Sequence, residues 1–158
     1  MVLIRRARLA TAALLAATGV APVTAQTTIW DGVFTLEQAR RGRTAYTGPC
    51  DRCHGYKLDG ASDDPDMLPA PPVAGPKFLR VWNGRSLAAL FEYTQRTMPA
   101  NNPSFLAAQE LVDMIAYTLL SSGVPPGDAE LSPELSDLAR IAIEPARRGD
   151  LISARTAR

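Results

Sequence analysis

The chain contains very few of the side chains that bind metal ions through nitrogen or sulfur. Among its 158 residues there are two cysteines and one histidine. A structural zinc site needs about four protein ligands, so a zinc site built from cysteine and histidine alone is excluded. Any thiol or imidazole chemistry must therefore come from these three residues.

Long hydrophobic runs are also absent. A membrane-spanning helix needs about 20 apolar residues, whereas the longest apolar stretch, residues 9–20, has about 12. Three arginines precede this stretch and the small residues Val23-Thr24-Ala25 follow it, which is typical of a secretory signal. We expect residues 1–25 to be a cleaved signal peptide, the mature chain to have no transmembrane segment, and its location to be the periplasm.

A strong net charge is missing as well. The whole chain has 17 basic and 16 acidic side chains. Loss of the three arginines in the expected signal peptide leaves 14 basic against 16 acidic side chains. Proteins that bind nucleic acid usually present a basic patch, so this balance argues against nucleic acid as a partner.

Both cysteines and the histidine lie in one pentapeptide, Cys50-Asp51-Arg52-Cys53-His54. C-x-x-C-H is the attachment signature of a c-type haem. The two thiols bond to the vinyl groups of the porphyrin, and the imidazole binds the iron as its proximal ligand. We therefore expect one haem c, bound covalently through Cys50 and Cys53, with His54 as the first axial ligand.

Two other interpretations of the pentapeptide are weaker. A thioredoxin-type dithiol belongs near a βαβ pattern, and its familiar form has Gly-Pro between the cysteines, where this chain has Asp51-Arg52. A plain structural disulfide between Cys50 and Cys53 is the second alternative. Neither alternative explains why His54 directly follows Cys53.

The second axial ligand must be sought among the methionines, because no other histidine is present. Met67, Met98 and Met114 follow the expected signal peptide. Met98 comes directly after a predicted helix and before Pro99, whose ring restricts the backbone, so we expect Met98 to be the distal ligand. Met114 suits helix packing better, Met67 lies in a loop, and an open iron site is a further alternative.

Three helices are predicted, and no strand-like alternation stands out. Thr35 and Gln38 form a capping-box pattern at the start of a helix over residues 36–46. Ser86 precedes a helix over residues 87–96. A third begins at Pro103 or Ser104 and ends near Ser122-Gly123. The fold class is therefore all-α.

Other features refine this prediction. Gly42 in the first helix suggests that a second helix approaches closely there. On the third helix the polar residues share one face, including Asp113, which is expected at the surface. Residues 57–77, rich in proline and aspartate, are expected to be irregular.

In these motifs and in their order the chain resembles the class I c-type cytochromes, which are monohaem, periplasmic and His/Met-ligated. The resemblance covers residues 33–124. It rests on the C-x-x-C-H motif and on four further matches: the ladder Gly42, Tyr46 and Cys50; Ile115-Ala116-Tyr117 on the last helix; Pro71-Pro72-Val73; and Met98-Pro99.

The resemblance implies a helical fold wrapped around one covalently bound haem, formed by residues 26–124. It also implies that the Pro71 carbonyl accepts a hydrogen bond from His54. Residues 125–158 form a C-terminal extension, for which wrapping of the domain, docking to a partner and partial disorder stay open.

Further residues are candidates for the haem environment. Trp82, with Arg80 and Arg85, could hydrogen-bond a haem propionate. The apolar residues expected in the pocket wall are Phe78, Leu79, Leu90 and Phe91.

His/Met ligation would saturate the iron, so no substrate could coordinate it. The interpretation is therefore a periplasmic one-electron carrier that cycles between Fe(II) and Fe(III), and not an enzyme. Expected partners are a periplasmic dehydrogenase as donor and an oxidase or another cytochrome as acceptor. The alternatives are an electron-transfer subunit bound to a periplasmic oxidoreductase and, less favoured, an open-site haem protein that binds small ligands.

Overall fold

Six helices occupy the described part of the chain. The computed structural model describes residues 26–61, 66, 70–147 and 149–150, so the expected signal peptide and Met67 lie outside the described residues. The helices are α1 (Leu36–Tyr46), α2 (Asp51–His54), α3 (Gly75–Trp82), α4 (Leu87–Thr97), α5 (Ala108–Ser121) and α6 (Leu135–Leu138). Within these ranges β-pairing is limited to two isolated bridges at Ala142, so the all-α prediction is confirmed.

Helices α1 and α5 cross in direct backbone contact at Gly42. A β-carbon added to Gly42 would lie 1.8 Å from the carbonyl oxygen of Asp113. Only hydrogen fits at this position, so the close approach expected from the sequence is present. One turn later the ring of Tyr46 packs edge-on against Tyr117, with centroids 5.6 Å apart.

An ion-pair network covers the same crossing. The Arg41 guanidinium donates to Asp113 from Nε at 2.9 Å and to Glu130 from Nη1 at 2.9 Å. The expectation that Asp113 lies at the surface was wrong, because the α1 crossing covers it and leaves the residue only 5% exposed. Burial alone would raise the pKa of Asp113, but hydrogen bonds from Arg41 and Gln109 hold it below its usual value.

The N-terminal caps of α1 and α4 follow the sequence pattern closely. Thr35 Oγ1 accepts from Gln38 N, and Ser86 Oγ accepts from Ala89 N. The capping box at α1 is only half formed, because the fully buried Gln38 amide is used elsewhere. Its Nε2 donates to Leu131 O at 2.9 Å, and its Oε1 accepts from Leu131 N at 2.7 Å.

One helix start differs from the prediction, and α3 was not predicted. Helix α5 begins at Ala108, later than expected, because Ser104 turns the chain with a φ of +63° and donates from N and Oγ to Gln95 O. Helix α3 was missed, since its first turn lies in a proline-rich section expected to be irregular. Pro76 occupies that first turn, where proline is tolerated because its missing N–H needs no partner.

The segment after α5 packs along the rest of the domain up to residue 147. Gly127 N donates to Phe34 O at 2.7 Å. Ala142 pairs with Thr28 on one side and Ser86 on the other, and the apolar residues buried along this segment are Leu131, Leu138 and Ile143. Its described residues therefore wrap the domain and form part of its core.

We predict that Gly42→Ala lowers the free energy of unfolding by about 3 kcal/mol or more, because an added methyl group must push α1 away from α5. Denaturant unfolding of the haem-loaded protein, followed by circular dichroism, measures the change. The control is Thr44→Ala on the exposed side of α1, which should alter stability by less than about 0.5 kcal/mol. Equal stability of the two variants would contradict the crossing.

Candidate haem site

A single helical turn gathers the two cysteines and the histidine. Cys50 is the N-cap of α2, and its carbonyl accepts from Cys53 N at 3.2 Å and from His54 N at 2.9 Å. Both thiols are free. Residues at spacings of three and four share one face of a helical turn, so the two sulfurs and the imidazole can contact one ligand.

The end of α1 and Tyr46 anchor this turn. Cys50 N donates to Tyr46 O at 3.1 Å, which joins the turn directly to α1. The buried Tyr46 hydroxyl donates to Gly55 O at 2.8 Å, just beyond His54. Burial raises the pKa of Tyr46 above its usual value, so the hydroxyl keeps its proton as a donor.

His54 is oriented by a backbone carbonyl. Its Nδ1 lies 2.8 Å from Pro71 O. A carbonyl oxygen can only accept, so Nδ1 carries the hydrogen and donates it. In the neutral imidazole this leaves Nε2 as the nitrogen with a free lone pair, which is the atom that a metal would bind.

A compact loop brings Pro71 back to His54. Gly60 N donates to His54 O at 2.9 Å, and Ala70 N donates to Gly60 O at 3.1 Å. Gly60 has a φ of +82°, and a β-carbon there would lie 2.1 Å from Ala70 O. Glycine is therefore required at this position both for the left-handed backbone and for space.

Met98 and Cys50 share one apolar pocket. Met98 is the C-cap of α4, and its N–H donates to Thr94 O at 2.8 Å. The remaining pocket residues come mainly from the end of α4, the following loop and α5: Pro49, Gln95, Pro99, Ser104, Leu106, Leu111 and Met114. The structure thus brings a thioether to the pocket that holds the first cysteine of the motif.

Met114 lies against the Cys50 thiol. Its Sδ is 3.6 Å from Cys50 Sγ, and the residue is only 7% exposed. Burial raises the pKa of Cys50 to about 11, so the thiol is protonated at neutral pH. The sequence indicated a packing role for Met114 but gave no sign of its contact with Cys50.

Trp82 and its neighbours form a separate cluster between α3 and α4. The Trp82 ring packs edge-on against Tyr93 at 5.6 Å, and the Arg85 guanidinium lies 5.2 Å from the ring centroid. Among the described residues, neither Trp82 nor Arg80 lines the pocket of Cys50 and Met98. The four expected pocket-wall residues are buried in the core: Phe78, Leu79, Leu90 and Phe91. A propionate contact of Trp82 stays a prediction.

The types of donor present suit a covalently attached haem, and the structure brings Met98 to the pocket of Cys50, a pocket that Cys53 and His54 do not line. Two free thiols stand at the required spacing, the imidazole is held through Nδ1, and a thioether lines an apolar pocket beside Cys50. The alternatives fit less well. Over the described ranges, no cluster of three or more His, Cys, Asp or Glu side chains could hold a metal ion by itself, and the two cysteines form no disulfide.

The fold and this set of residues define a c-type cytochrome domain. Residues 37–117, about half of the chain, match the family model described as cytochrome c oxidase, cbb3-type, subunit III, and the chain belongs to this family. Such a domain carries covalently bound haem c and transfers electrons with redox partners. Comparison with curated proteins and with solved structures gives no match.

No membrane-spanning helix is found among the described residues. None of the helices there combines the length and the apolar character needed to cross a bilayer.

We predict that Gly60→Ala disturbs the His54–Pro71 contact. Gly84 is a matched control, because its φ of +77° is similar but a β-carbon there meets nothing within 4 Å. Gly84→Ala should cost about 1–2 kcal/mol from backbone strain alone. Gly60→Ala should cost at least about 2 kcal/mol more and should raise the reduction potential, because displacement of Pro71 O makes the His54 imidazole less basic and stabilises the ferric iron less. Denaturant unfolding and redox titration of the haem-loaded variants test this, and equal behaviour would contradict it.

Proposed function

We propose that this chain is a periplasmic one-electron carrier with one haem c, attached through Cys50 and Cys53 and bound axially by His54 and Met98. The observation that carries the proposal is the His54 Nδ1–Pro71 O hydrogen bond of 2.8 Å, next to two free thiols on the same turn. This hydrogen bond uses Nδ1 of His54, so Nε2 is the ring nitrogen that would bind the iron, on the same turn as Cys50 and Cys53.

The chain's own residues prepare the site for this role. Cys50 and Cys53 would hold the cofactor, and the carbonyl of Pro71 fixes the imidazole plane and increases its basicity. When bound, the haem supplies an iron that gains or loses one electron without bonding a substrate. The apolar pocket that Met98 lines would disfavour the extra positive charge of the ferric form, and a thioether ligand would also raise the reduction potential.

Met98 is a better candidate for the distal ligand than Met114. Met114 Sδ lies 3.6 Å from Cys50 Sγ, and that sulfur would bond to a vinyl group at the rim of the porphyrin. A side chain in contact with an attachment sulfur would lie near the edge of a bound porphyrin, which supports Met98 over Met114 as the distal ligand. Met98 lines the same pocket from the end of α4, on a different segment from the attachment turn.

The proposed location follows from the N-terminal sequence. Residues 1–25 have the basic start, short apolar stretch and small final residues of a cleavable signal. Export would bring Cys50 and Cys53 to the compartment in which haem is joined to thiols. The proposed partners are a periplasmic dehydrogenase as donor and an oxidase or another cytochrome as acceptor.

We predict that Met98→Ala abolishes the weak far-red absorption band of the ferric protein, which reports a methionine ligand. The reduction potential should fall on the order of 0.1 V, a fraction of the range of about 0.8 V that axial ligands span. The wild-type chain, produced in a host that matures c-type cytochromes, should carry one haem by mass and show the band. If Met114→Leu removed the band and Met98→Ala did not, Met114 would be the ligand; if the wild type lacked the band, the site would be open.

A second candidate is an electron-transfer subunit bound to an oxidoreductase. The family description, which names an oxidase subunit, favours it. Of the alternatives left open for the extension, burial of Leu131, Leu138 and Ile143 against the domain favours wrapping over a free docking arm for its described residues.

We predict that the tagged, haem-loaded chain purifies from its native host as a free protein. A carrier meets its partners transiently, so equimolar recovery with another polypeptide is not expected. Size-exclusion chromatography and mass spectrometry of the eluate measure this, with an unrelated exported protein carrying the same tag as control. Recovery of one partner at constant stoichiometry would establish the subunit interpretation instead.

A further inference from the structure

The outer side of α3 and α4 carries a cluster of basic residues. Residues 70–107 contain four basic residues and one acidic residue, Glu92. All four basic residues are exposed: Lys77, Arg80, Arg85 and Arg96. The ion pairs between described residues include none of them. The rest of the chain after the expected signal peptide has 10 basic and 15 acidic side chains, so a positive surface lies on a domain that is otherwise acidic.

An aromatic contact joins the two helices at this cluster. The Trp82 ring, at the end of α3, packs edge-on against Tyr93 of α4 with centroids 5.6 Å apart. The Arg85 guanidinium lies 5.2 Å from the centroid of the same Trp82 ring, within the range of a cation–π interaction. Tyr93 is 48% exposed, and Val81, next to Trp82, is 71% exposed. Exposed apolar area and positive charge therefore occur together where α3 and α4 meet.

Helical spacing extends the cluster along both helices. Lys77 and Arg80 are three residues apart on α3 and share one face of it, as Tyr93 and Arg96 do on α4. We call the whole set the α3–α4 surface: Lys77, Arg80, Val81, Arg85, Tyr93 and Arg96. Because Trp82 packs directly against Tyr93, the two helices present these residues on one supported surface.

The α3–α4 surface is close to the pocket of Met98 but does not line it. Thr94 and Gln95 line the pocket from α4, whereas Tyr93 and Arg96 on the same helix are exposed and lie outside it. A helix with its side chains is about 10 Å across. A partner bound at this surface would therefore be separated from the pocket by about the width of one helix.

We propose that the α3–α4 surface binds an acidic surface on a redox partner protein. The inference deepens the proposed function and rests on it, because an electron carrier must meet such a partner. Complementary charges speed the encounter of two proteins and fix their relative orientation. Val81 and Tyr93 contribute apolar contact area to the complex.

A protein fits this surface better than a lipid bilayer does. Helices that lie in a membrane interface insert a broad apolar face with side chains such as Trp, Phe and Leu. Here the exposed apolar side chains are Val81 and Tyr93, and α3 has only eight residues. Arginine and tyrosine are enriched at protein interfaces, whereas lysine is depleted, and three of the four basic residues are arginines.

The test removes two charges from the surface and measures electron exchange with the natural partners. Lys77→Gln/Arg80→Gln is the test variant. Arg40→Gln/Arg43→Gln is the matched control, because it removes two charges from exposed residues of α1. Each haem-loaded chain, reduced or oxidised, is mixed with the periplasmic and membrane fractions of the native host, and its haem absorbance is followed over time.

The expected result depends on salt. At about 10 mM salt, where charges act over about 30 Å, the Lys77→Gln/Arg80→Gln chain should react at least about fivefold more slowly than the wild type, the effect of two lost surface ion pairs. The control should stay within about twofold of the wild type, and the difference should narrow at about 0.15 M salt. Poly-L-glutamate, added as a competitor, should slow the wild type and leave the test variant nearly unchanged. All chains should have the same reduction potential.

The outcomes separate this inference from its alternatives and from the proposed function. If the wild type reacts with a host fraction and the test variant reacts equally fast at low salt, the inference is wrong while the carrier function stands. If the test variant shifts the reduction potential at unchanged rates, Arg80 binds a haem propionate instead. If the wild type but not the variant binds phosphatidylglycerol vesicles, and poly-L-glutamate does not compete, the surface binds lipid and not protein. If the wild type reacts with neither fraction, the proposed function fails and the inference fails with it.

Discussion

The backbone contact between α1 and α5 at Gly42 is the constraint on which the rest of the structure depends. Because no side chain separates the helices there, the end of α1 and the middle of α5 are brought together. Tyr46 ends α1, the backbone N–H of Cys50 donates to its carbonyl, and Met114 lies on α5, so the same crossing that closes the core also positions the first cysteine of the motif. Stability and site geometry therefore depend on one contact.

Polar groups complete that contact. Arg41 pairs with Asp113 on α5 and with Glu130 in the C-terminal segment, and the buried amide of Gln38 pairs with the backbone of Leu131. Without these partners, the buried Asp113 and Gln38 side chains would be costly. The C-terminal segment thus supplies partners that the helices lack, which explains why it packs on the domain through its described length.

The site is built largely from backbone groups. His54 is oriented by a carbonyl of Pro71, the loop closes through the backbone of Gly60, and Tyr46 is satisfied by the carbonyl of Gly55. Such contacts do not depend on the side chain of the accepting residue. They depend on the path of the chain, and glycine at position 60 is what permits that path.

The sequence alone determined the chemistry of the C-x-x-C-H turn, the all-α class and the starts of α1 and α4, because each follows from residues close together in the chain. Only the tertiary structure decided which side chains are buried and which distant residues pair. Asp113 looked like a surface residue because helical periodicity reports spacing along one helix, whereas its partner Arg41 lies 72 positions away. Separations of 64 and 93 positions likewise concealed the contact of Met114 with Cys50 and the pairing of Gln38 with Leu131, since burial and pairing arise only when distant segments meet.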